Sequence, residues 1–436
     1  MTECTDQSLL FPAFRSRKIE ARFDGGAITS DGGSLLLRQA DRRLGLTREL
    51  ATVLDDPRRE ASCRHTLEQL LRQRIYGLSL GYEDLNDHNA LRQDIGLQTA
   101  LDRDEELGGA STLCRLENRM DEKAAWQMNA LLVETFMGSL NEAPEELILD
   151  FDATDDRVHG DQEGRQFHGY YDHYCFLPLY VFCGEHMLVS YLRPSRIDGA
   201  KHALPILKLL VDRLRQKWPA VKIVMRADSG FCRWKTMRWC DRHGVKYLLG
   251  FAKNKRVNQL AAPWHKEAAA DFNSTGVKQR QFGELMYAAK SWDRERRVII
   301  KAEHGSQGAN PRYVVTNLQG EGCTLYQQYC QRGDMENRIK EQQLDLFSDR
   351  TSAHKWWTNQ FRMLLSAFAY VLMHAIRRLG LHGTELARAQ CGTIRLKLLK
   401  IGAVITRNTR RVRFHLASAC PCQSIFWTVA ERLAPT

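Results

Sequence analysis

Residues 147–156, LILDFDATDD, decide the fold. A short apolar run ends in acids, the pattern of a strand whose far end carries charge. Side chains alternate between the two faces of a strand. Ile148, Asp150 and Asp152 therefore share one face, and Leu147, Leu149 and Phe151 the other. Acids at the end of an otherwise buried strand are costly unless something offsets their charge. A divalent metal is one remedy. The alternative is a solvated turn past the strand end that caps the next helix.

Downstream, LPLYVFCG (177–184) and MLVSYLRP (187–194) read as the next two strands, joined through the turn Gly184-Glu185-His186. ALPILKLLVDRLRQKW (203–218) is an amphipathic helix, and VKIVMRADSG (221–230) is a buried strand ending at Asp228. RWKTMRWCDRH (233–243) is a helix stopped by Gly244, and VKYLLGF (245–251) is another strand. Strands first, then strand and helix in alternation, predict an α/β layer with mixed strand directions. GELMYAAK and RVIIKAEH alternate like strands, so 255–310 reads as a β-rich insertion. RYVVTNL (312–318) is again a strand, and a helix follows from about Leu325 to Leu346 with Glu336 inside it.

Upstream, Asp24-Gly25-Gly26 and Asp31-Gly32-Gly33 bracket the segment AITS with turn chemistry. SLLLRQADRRL (34–44) reads as a helix with Ser34 as N-cap and Gly45 as its end. Asp84, Asn86 and Asp87 mark a cap or turn. Helical spacing of Leu67, Leu70, Leu71, Ile75 and Leu78, then of Trp126, Leu131, Leu132 and Phe136, predicts an all-helical region over 1–140. Its two readings are a DNA-end-binding domain and a plain helical support. Residues 351–436 hold one strong helix, Phe361 to Leu379, and a basic hairpin-like stretch, AVITRNTRRVRFHL. Between Arg377 and Arg413 the bases Arg388, Arg395, Lys397, Lys400, Arg407 and Arg410 face a single acid, Glu385.

The totals agree with this order. A chain of 436 residues exceeds one ordinary domain, and a net charge of +11 favours a polyanionic partner, nucleic acid first, over mere solubility charge. The 12 cysteines, from Cys4 to Cys422, are scattered; Cys420-Pro-Cys422 lacks a zinc-knuckle spacer, so reduced thiols are expected. The start, MTECTDQSLLFPAFRSRK, has no secretory pattern, and the apolar stretch between Arg362 and His374 is too short to span a bilayer. A soluble, intracellular protein with no membrane partner is expected.

Asp228 ends an apolar strand, and carboxyl ends of strands in α/β sheets are where ligands bind. On the later helix Tyr329, Arg332 and Glu336 fall along one stripe; a surface pair of Arg332 with Glu336 is the bland alternative. Two strand-end aspartates and a helical glutamate make a set of hard oxygen ligands, suited to Mg²⁺ or Mn²⁺ rather than zinc. A pair of such ions can clamp both oxygens of an in-line phosphoryl displacement.

DATDD, RADSGF and the spacing Tyr-x-x-Arg-x-x-x-Glu resemble the DDE transposases of bacterial insertion sequences, and more narrowly the insertion-sequence 1380 family. ITSDGGSLLLRQADRRLGL, GYEDLNDHNALRQD, DATDDRVHGDQEGRQFHGYYDHYCFLPLYVFCGEH, YCQRGDMENRIKEQQLDLFSDRTS and GTELARAQCGTIRLKLLKIGA are similar to stretches of that group, which extends the resemblance from about residue 20 to 420. The resemblance implies an α/β, ribonuclease-H-like catalytic core with a β-rich insertion, plus helical N-terminal and basic C-terminal regions. Its parts would be 1–140 for DNA ends, 141–254 and 311–350 for the core, 255–310 for the insertion and 351–436 for the C-terminal region. The spacings, 228 − 152 = 76 and 336 − 228 = 108, leave room for such an insertion.

By the same resemblance Asp152, Asp228 and Glu336 would be the catalytic metal ligands, with Asp150 the competing first ligand, and two Mg²⁺ or Mn²⁺ ions the cofactor. Tyr329 and Arg332 would touch the DNA backbone. A related pattern has a Lys seven residues after the Glu; here that position is Gln343, and Lys340, one turn after Glu336, would be the substitute. Water would cut a phosphodiester at the transposon end, and the freed 3′-hydroxyl would then attack target DNA, with no covalent protein–DNA link. Expected partners are double-stranded DNA and a second copy in a homodimer, with a cytoplasmic, nucleoid-associated location. Trp356 and Trp357 would stack on a displaced base or pack in the core; His168, Tyr170, Tyr171 and His173 would line the site or form a polar strand connection. The rival functions are a non-catalytic DNA-binding regulator and a ribonuclease-H-like nuclease that cuts without joining.

Overall fold

A computed structural model describes residues 9–434, so Cys4 and the first part of the N-terminal stretch lie outside the described residues. The chain forms two compact units. Met120–Ala367 make one; the other joins the described residues up to Arg119 with those from Phe368 onward.

The Met120–Ala367 unit is built on one mixed sheet. Its strands are β1 (Glu146–Ala153), β2 (Leu179–Cys183), β3 (His186–Tyr191), β4 (Lys222–Ala227), β5 (Lys246–Phe251), β6 (Gln279–Tyr287), β7 (Arg296–Gly305) and β8 (Arg312–Thr316). Across the sheet they run β6-β7-β8-β5-β4-β1-β2-β3, and the two-residue strand Gly308–Ala309 pairs with β7. β1, β4 and β5 are parallel, and every other neighbouring pair is antiparallel. The β2–β3 turn falls on Gly184 in the left-handed region (φ 58°), as its tight hairpin demands.

Period-two alternation sorts the strands between two cores. Leu147, Leu149 and Phe151 of β1, with Ile223 and Met225 of β4 and Leu249 of β5, join a large core with Leu207, Leu210 and Leu214 of the helix Ala203–Lys217. Ile148, Val224 and Leu248 face the other way, with Leu325, Tyr326 and Tyr329 packed over them. The face assignment expected for 147–152 therefore holds for its apolar members.

Two stretches differ from the sequence reading. Residues 255–275 form helices, Lys255–Leu260 and Ala262–Thr275, ahead of the alternating strands β6 and β7, which extend the central sheet. Their cues are punctuation rather than periodicity: Asn254 accepts from Val257 N, Pro263 stands in the first turn, and Gly276 closes the helix at φ 67°. The single helix expected from Leu325 to Leu346 is broken into α1 (Gly322–Cys330), α2 (Gly333–Lys340) and a π turn over Glu341–Asp345. From Tyr329 to Met335 the backbone tightens to i→i+3 bonds, Arg332 N to Tyr329 O (3.1 Å) and Met335 N to Arg332 O (3.1 Å), with helix-weakening Gly333 at the break. The helix Trp356–Ala375 begins five residues before the expected Phe361 and carries the chain into the other unit.

In that other unit helices dominate the N-terminal part, among them Ser34–Leu44, Leu46–Val53 and Leu67–Leu80. The last opens on a capping box of Thr66 and Gln69. Gly45 ends the first helix at φ 66° as expected, but Gly33, not Ser34, is the N-cap and makes no side-chain cap bond. The expectation of helix alone is corrected by a hairpin of Leu9–Phe14 with Arg17–Ala21, and by Ile28–Thr29, which pairs with Ala403–Arg407. The hairpin side chains described are exposed, so no burial imprints a pattern on them. Ala403–Arg407 and Val412–Leu416 form the hairpin expected near the C-terminus. Among the described residues every cysteine is a free thiol, and no helix is long and apolar enough to cross a membrane.

Candidate active site

Parallel pairing of β1 with β4 sets Asp150 opposite Arg226 and Phe151 opposite Ala227. Asp152 and Asp228 thus occupy the next step of two adjacent strands, at their carboxyl ends, where neighbouring chains run about 4.8 Å apart. Below them Arg226 grips Asp150 with both arms of its guanidinium, Nε to Oδ1 at 2.5 Å and Nη2 to Oδ2 at 2.7 Å. Its remaining nitrogen, Nη1, donates to the Gln328 carbonyl of α1 at 2.5 Å. Burial raises the Asp150 carboxyl in spite of Arg226, the mark of a pair whose desolvation outweighs its attraction. Arg226 holds both Asp150 oxygens, whereas Asp152 accepts from Ala153 N at Oδ1, 3.0 Å away, and faces Arg332 at Oδ2.

Asp152 is strongly perturbed. Burial pushes its carboxyl up to about 6; Arg332 opposes the shift, while Asp228 and Glu336 add to it by like-charge repulsion. Arg332 Nη1 lies 3.3 Å from Asp152 Oδ2. Asp228 accepts from Gly230 N at 2.8 Å and so caps the short turn Ser229–Phe231. Tyr329 completes the group: its hydroxyl is raised by burial first and by Asp228, with Arg332 opposing. These four side chains, from two strand ends and the end of α1, form one electrostatic unit.

Gly250 on β5 is the space that admits Tyr329. A Cβ there would lie 2.6 Å from the Tyr329 hydroxyl, 2.8 Å from Ser229 N and 3.1 Å from the Asp228 carbonyl carbon.

Glu336 is the outlying member. It is exposed, pairs with Lys340 one turn along α2 at 3.3 Å, and contributes least to the Asp152 shift. The bland reading of Arg332 with Glu336 is thus replaced by two other pairs, Arg332 with Asp152 and Lys340 with Glu336. Among the described residues no three His, Cys, Asp or Glu side chains form a ready group of metal ligands. Gln343 Nε2 donates to the Asp155 carbonyl at 3.2 Å.

The aromatic and histidine residues after the first motif form a rim. His173 Nε2 lies 2.9 Å from Asp155 Oδ2, and Tyr171 packs on His168 and Tyr170. Burial, then Asp155, Tyr170 and Asp152, push the Tyr171 hydroxyl up to about 12, so Tyr171 shares the electrostatic field of Asp152. Trp356 packs edge-on to Phe176 at 5.4 Å and would meet a Cβ on Gly164 at 2.7 Å, while Trp357 lines a cavity of about 1170 Å³ with Trp126 and Leu209.

Sequence reasoning passed over Arg226 and Gly250. Arg226 did leave a signal, a cation deep inside an apolar strand two residues before Asp228. Gly250 left none beyond being a glycine in a strand.

A family model described as transposase DDE domain group 1 matches residues 11–436. Among solved structures, the piggyBac transposase synaptic complex with hairpin DNA, determined by cryo-EM, is similar over 85% of this chain and 79% of that one, at 11% identity and a TM-score of 0.40. No curated protein matches the chain.

Proposed function

The chain belongs to the transposase DDE domain group 1 family, and on that premise we propose that it cuts DNA at the terminal inverted repeats of an insertion sequence and joins the freed ends to target DNA. The single observation that carries the site is the pairing of two strand-end acids: Asp152, pushed up to about 6, stands one register step past Phe151–Ala227 beside Asp228. The strand order β3-β2-β1-β4-β5, antiparallel on one side of β1 and parallel on the other, supports a ribonuclease-H-like core. We assign the chain within the family to the insertion-sequence 1380 group on its motif resemblance.

The donors fit a hard divalent cation: Asp152, Asp228 and Glu336 are all carboxylates, and their mutual repulsion is relieved by positive charge. Mg²⁺ or Mn²⁺, as two ions, would stabilise charge on the attacking and leaving oxygens of a phosphodiester. Asp152 and Asp228 stand on rigid strand ends and supply the fixed side of the site. Glu336 would join the two aspartates in holding the cation, and Lys340, its partner at 3.3 Å, would meet a DNA phosphate. Arg332 and Tyr329 hold the backbone phosphate beside Asp152, Arg332 as a fork that matches phosphate oxygens. Asp150 stays with Arg226 and keeps β1 and β4 in register. Water opens one phosphodiester and leaves a 3′-hydroxyl; that hydroxyl displaces a 3′-oxygen in the target strand, one ester bond forming as another breaks. Two ends held together call for a homodimer on DNA.

The test joins purified protein, duplexes bearing the element's terminal repeats, target plasmid and Mg²⁺. Asp152→Asn, Asp228→Asn and Glu336→Gln are each expected to abolish cutting and joining while Asp150→Asn keeps measurable activity. Full strand transfer by Asp228→Asn would remove that residue from the site. Joining of pre-cut ends separates a transposase from a nuclease that only cuts, and metal-independent binding with no cleavage at all would favour a regulator.

A further inference from the structure

We propose that the hairpin Ala403–Leu416 is a second DNA-binding surface, a β-ribbon that grips duplex phosphates through Arg410, Arg411 and Arg413. The proposal rests on the transposase reading for its partner, but its residues are separate from Asp152, Asp228 and Glu336 and belong to the other compact unit.

The register decides which side chains face where. Ala403 with Leu416 and Ile405 with Phe414 share one side, where Ala403 and Ile405 are buried. Val404, Thr406, Arg413 and His415 share the other, and all four are exposed. Thr406 Oγ1 lies 3.1 Å from His415 Nε2 across the ladder. At the tip Asn408 Oδ1 accepts from the backbone N of both Arg410 and Arg411 at 2.9 Å each, and Asn408 N donates to the Arg411 carbonyl at 3.0 Å. One side chain thus locks the turn that carries two of the three arginines.

Acids are scarce along the hairpin. Arg407 reaches one, Asp104 at 3.4 Å. Among the described residues no acid stands within 4.0 Å of the Arg410, Arg411 or Arg413 guanidinium. Three like charges close together in sequence, two on the turn and one on the adjoining strand, repel one another, and a polyanion is the partner that relieves them. A two-stranded ribbon has the width to enter a DNA major groove, and arginine forks pair with phosphate oxygens. Contacts to phosphates carry no sequence information, so the grip is sequence-independent.

The experiment measures binding of wild-type protein to a mixed-sequence duplex in EDTA across a salt series, beside Mg²⁺-dependent cutting of terminal-repeat DNA. Each lost phosphate contact lowers the slope of log affinity against log salt by about 0.9. The triple variant Arg410→Ala/Arg411→Ala/Arg413→Ala is expected to lose about 2–3 from that slope and at least about tenfold in affinity at 0.15 M salt. The triple lysine variant is expected to keep most of both. Arg411→Glu, a single change at an exposed turn position, gives the same sign should the triple variant fold poorly. Unchanged slope and affinity in the alanine and glutamate variants, with wild type binding normally, would overturn the hairpin proposal and leave the transposase reading standing. No duplex binding by wild type at low salt would overturn both.

Discussion

Arg226 holds Asp150 across adjacent parallel strands by two hydrogen bonds, 2.5 and 2.7 Å long, two register steps below Asp152 and Asp228. The pair is buried, and Arg226 also ties β4 to α1 through the Gln328 carbonyl.

Breaking this pair from one side leaves a buried charge without its partner. Asp150→Leu and Arg226→Leu are each expected to destabilise by about 3–5 kcal/mol, whereas the double variant loses clearly less than their sum. Urea unfolding of the four proteins checks this. Strict additivity would mean that the two side chains do not act as a pair.

Gly250→Ala places a methyl group against the Tyr329 hydroxyl and the backbone at Asp228 and Ser229. Roughly 1–3 kcal/mol of stability is expected to go, as for other overpacked sites. DNA cutting is expected to fall at least about tenfold, because the small displacement falls on a carboxylate that must be held in place. Wild-type turnover in a folded Gly250→Ala protein would show that Tyr329 and Asp228 need no such fixed spacing.

His88 is fully buried, with Nδ1 3.0 Å from Gln73 Nε2 and Nε2 3.2 Å from Arg74 Nη1. Burial, then Arg74, pull its pKa down to about 3 from an unfolded value near 6.5. Between those values the unfolded chain takes up a proton that the folded one refuses. Its contribution to stability is therefore complete above pH 6.5 and is lost as the pH falls towards 3, at up to about 1.4 kcal/mol per pH unit. Denaturant midpoints measured across this window are expected to fall less steeply in His88→Gln than in wild type.

Trp356 packs against Phe176 and Gly164, so its role is read as structural. Trp356→Ala is expected to cost ~2 kcal/mol in unfolding free energy, less than a fully buried tryptophan. Affinity for single-stranded DNA is expected to stay within twofold. A drop of tenfold or more with intact stability would restore the base-stacking role.

How far these features were legible differs from element to element. β1 and β4 announced themselves because apolar alternation is a local property of neighbouring residues, and so did the β2–β3 hairpin at Gly184. The hairpin Leu9–Ala21 did not, because its described side chains are exposed and carry no imprint of a core. The break at Gln331–Arg332 was masked by a helical spacing that continues on both sides of it.

What the sequence determined by itself were the strand ends, the acids on them and the family resemblance, since short-range periodicity and motif spacing need no knowledge of the third dimension. Only the tertiary structure gave the two acids of β1 different partners. Parallel pairing of β1 with β4 set Arg226 opposite Asp150 and so separated Asp150 from Asp152, two residues apart on one face with the same chemistry. Arg332 was likewise given to Asp152 by distance across the fold. Ion pairing depends on which distant charges the packing brings within a few ångströms, and no local pattern encodes that.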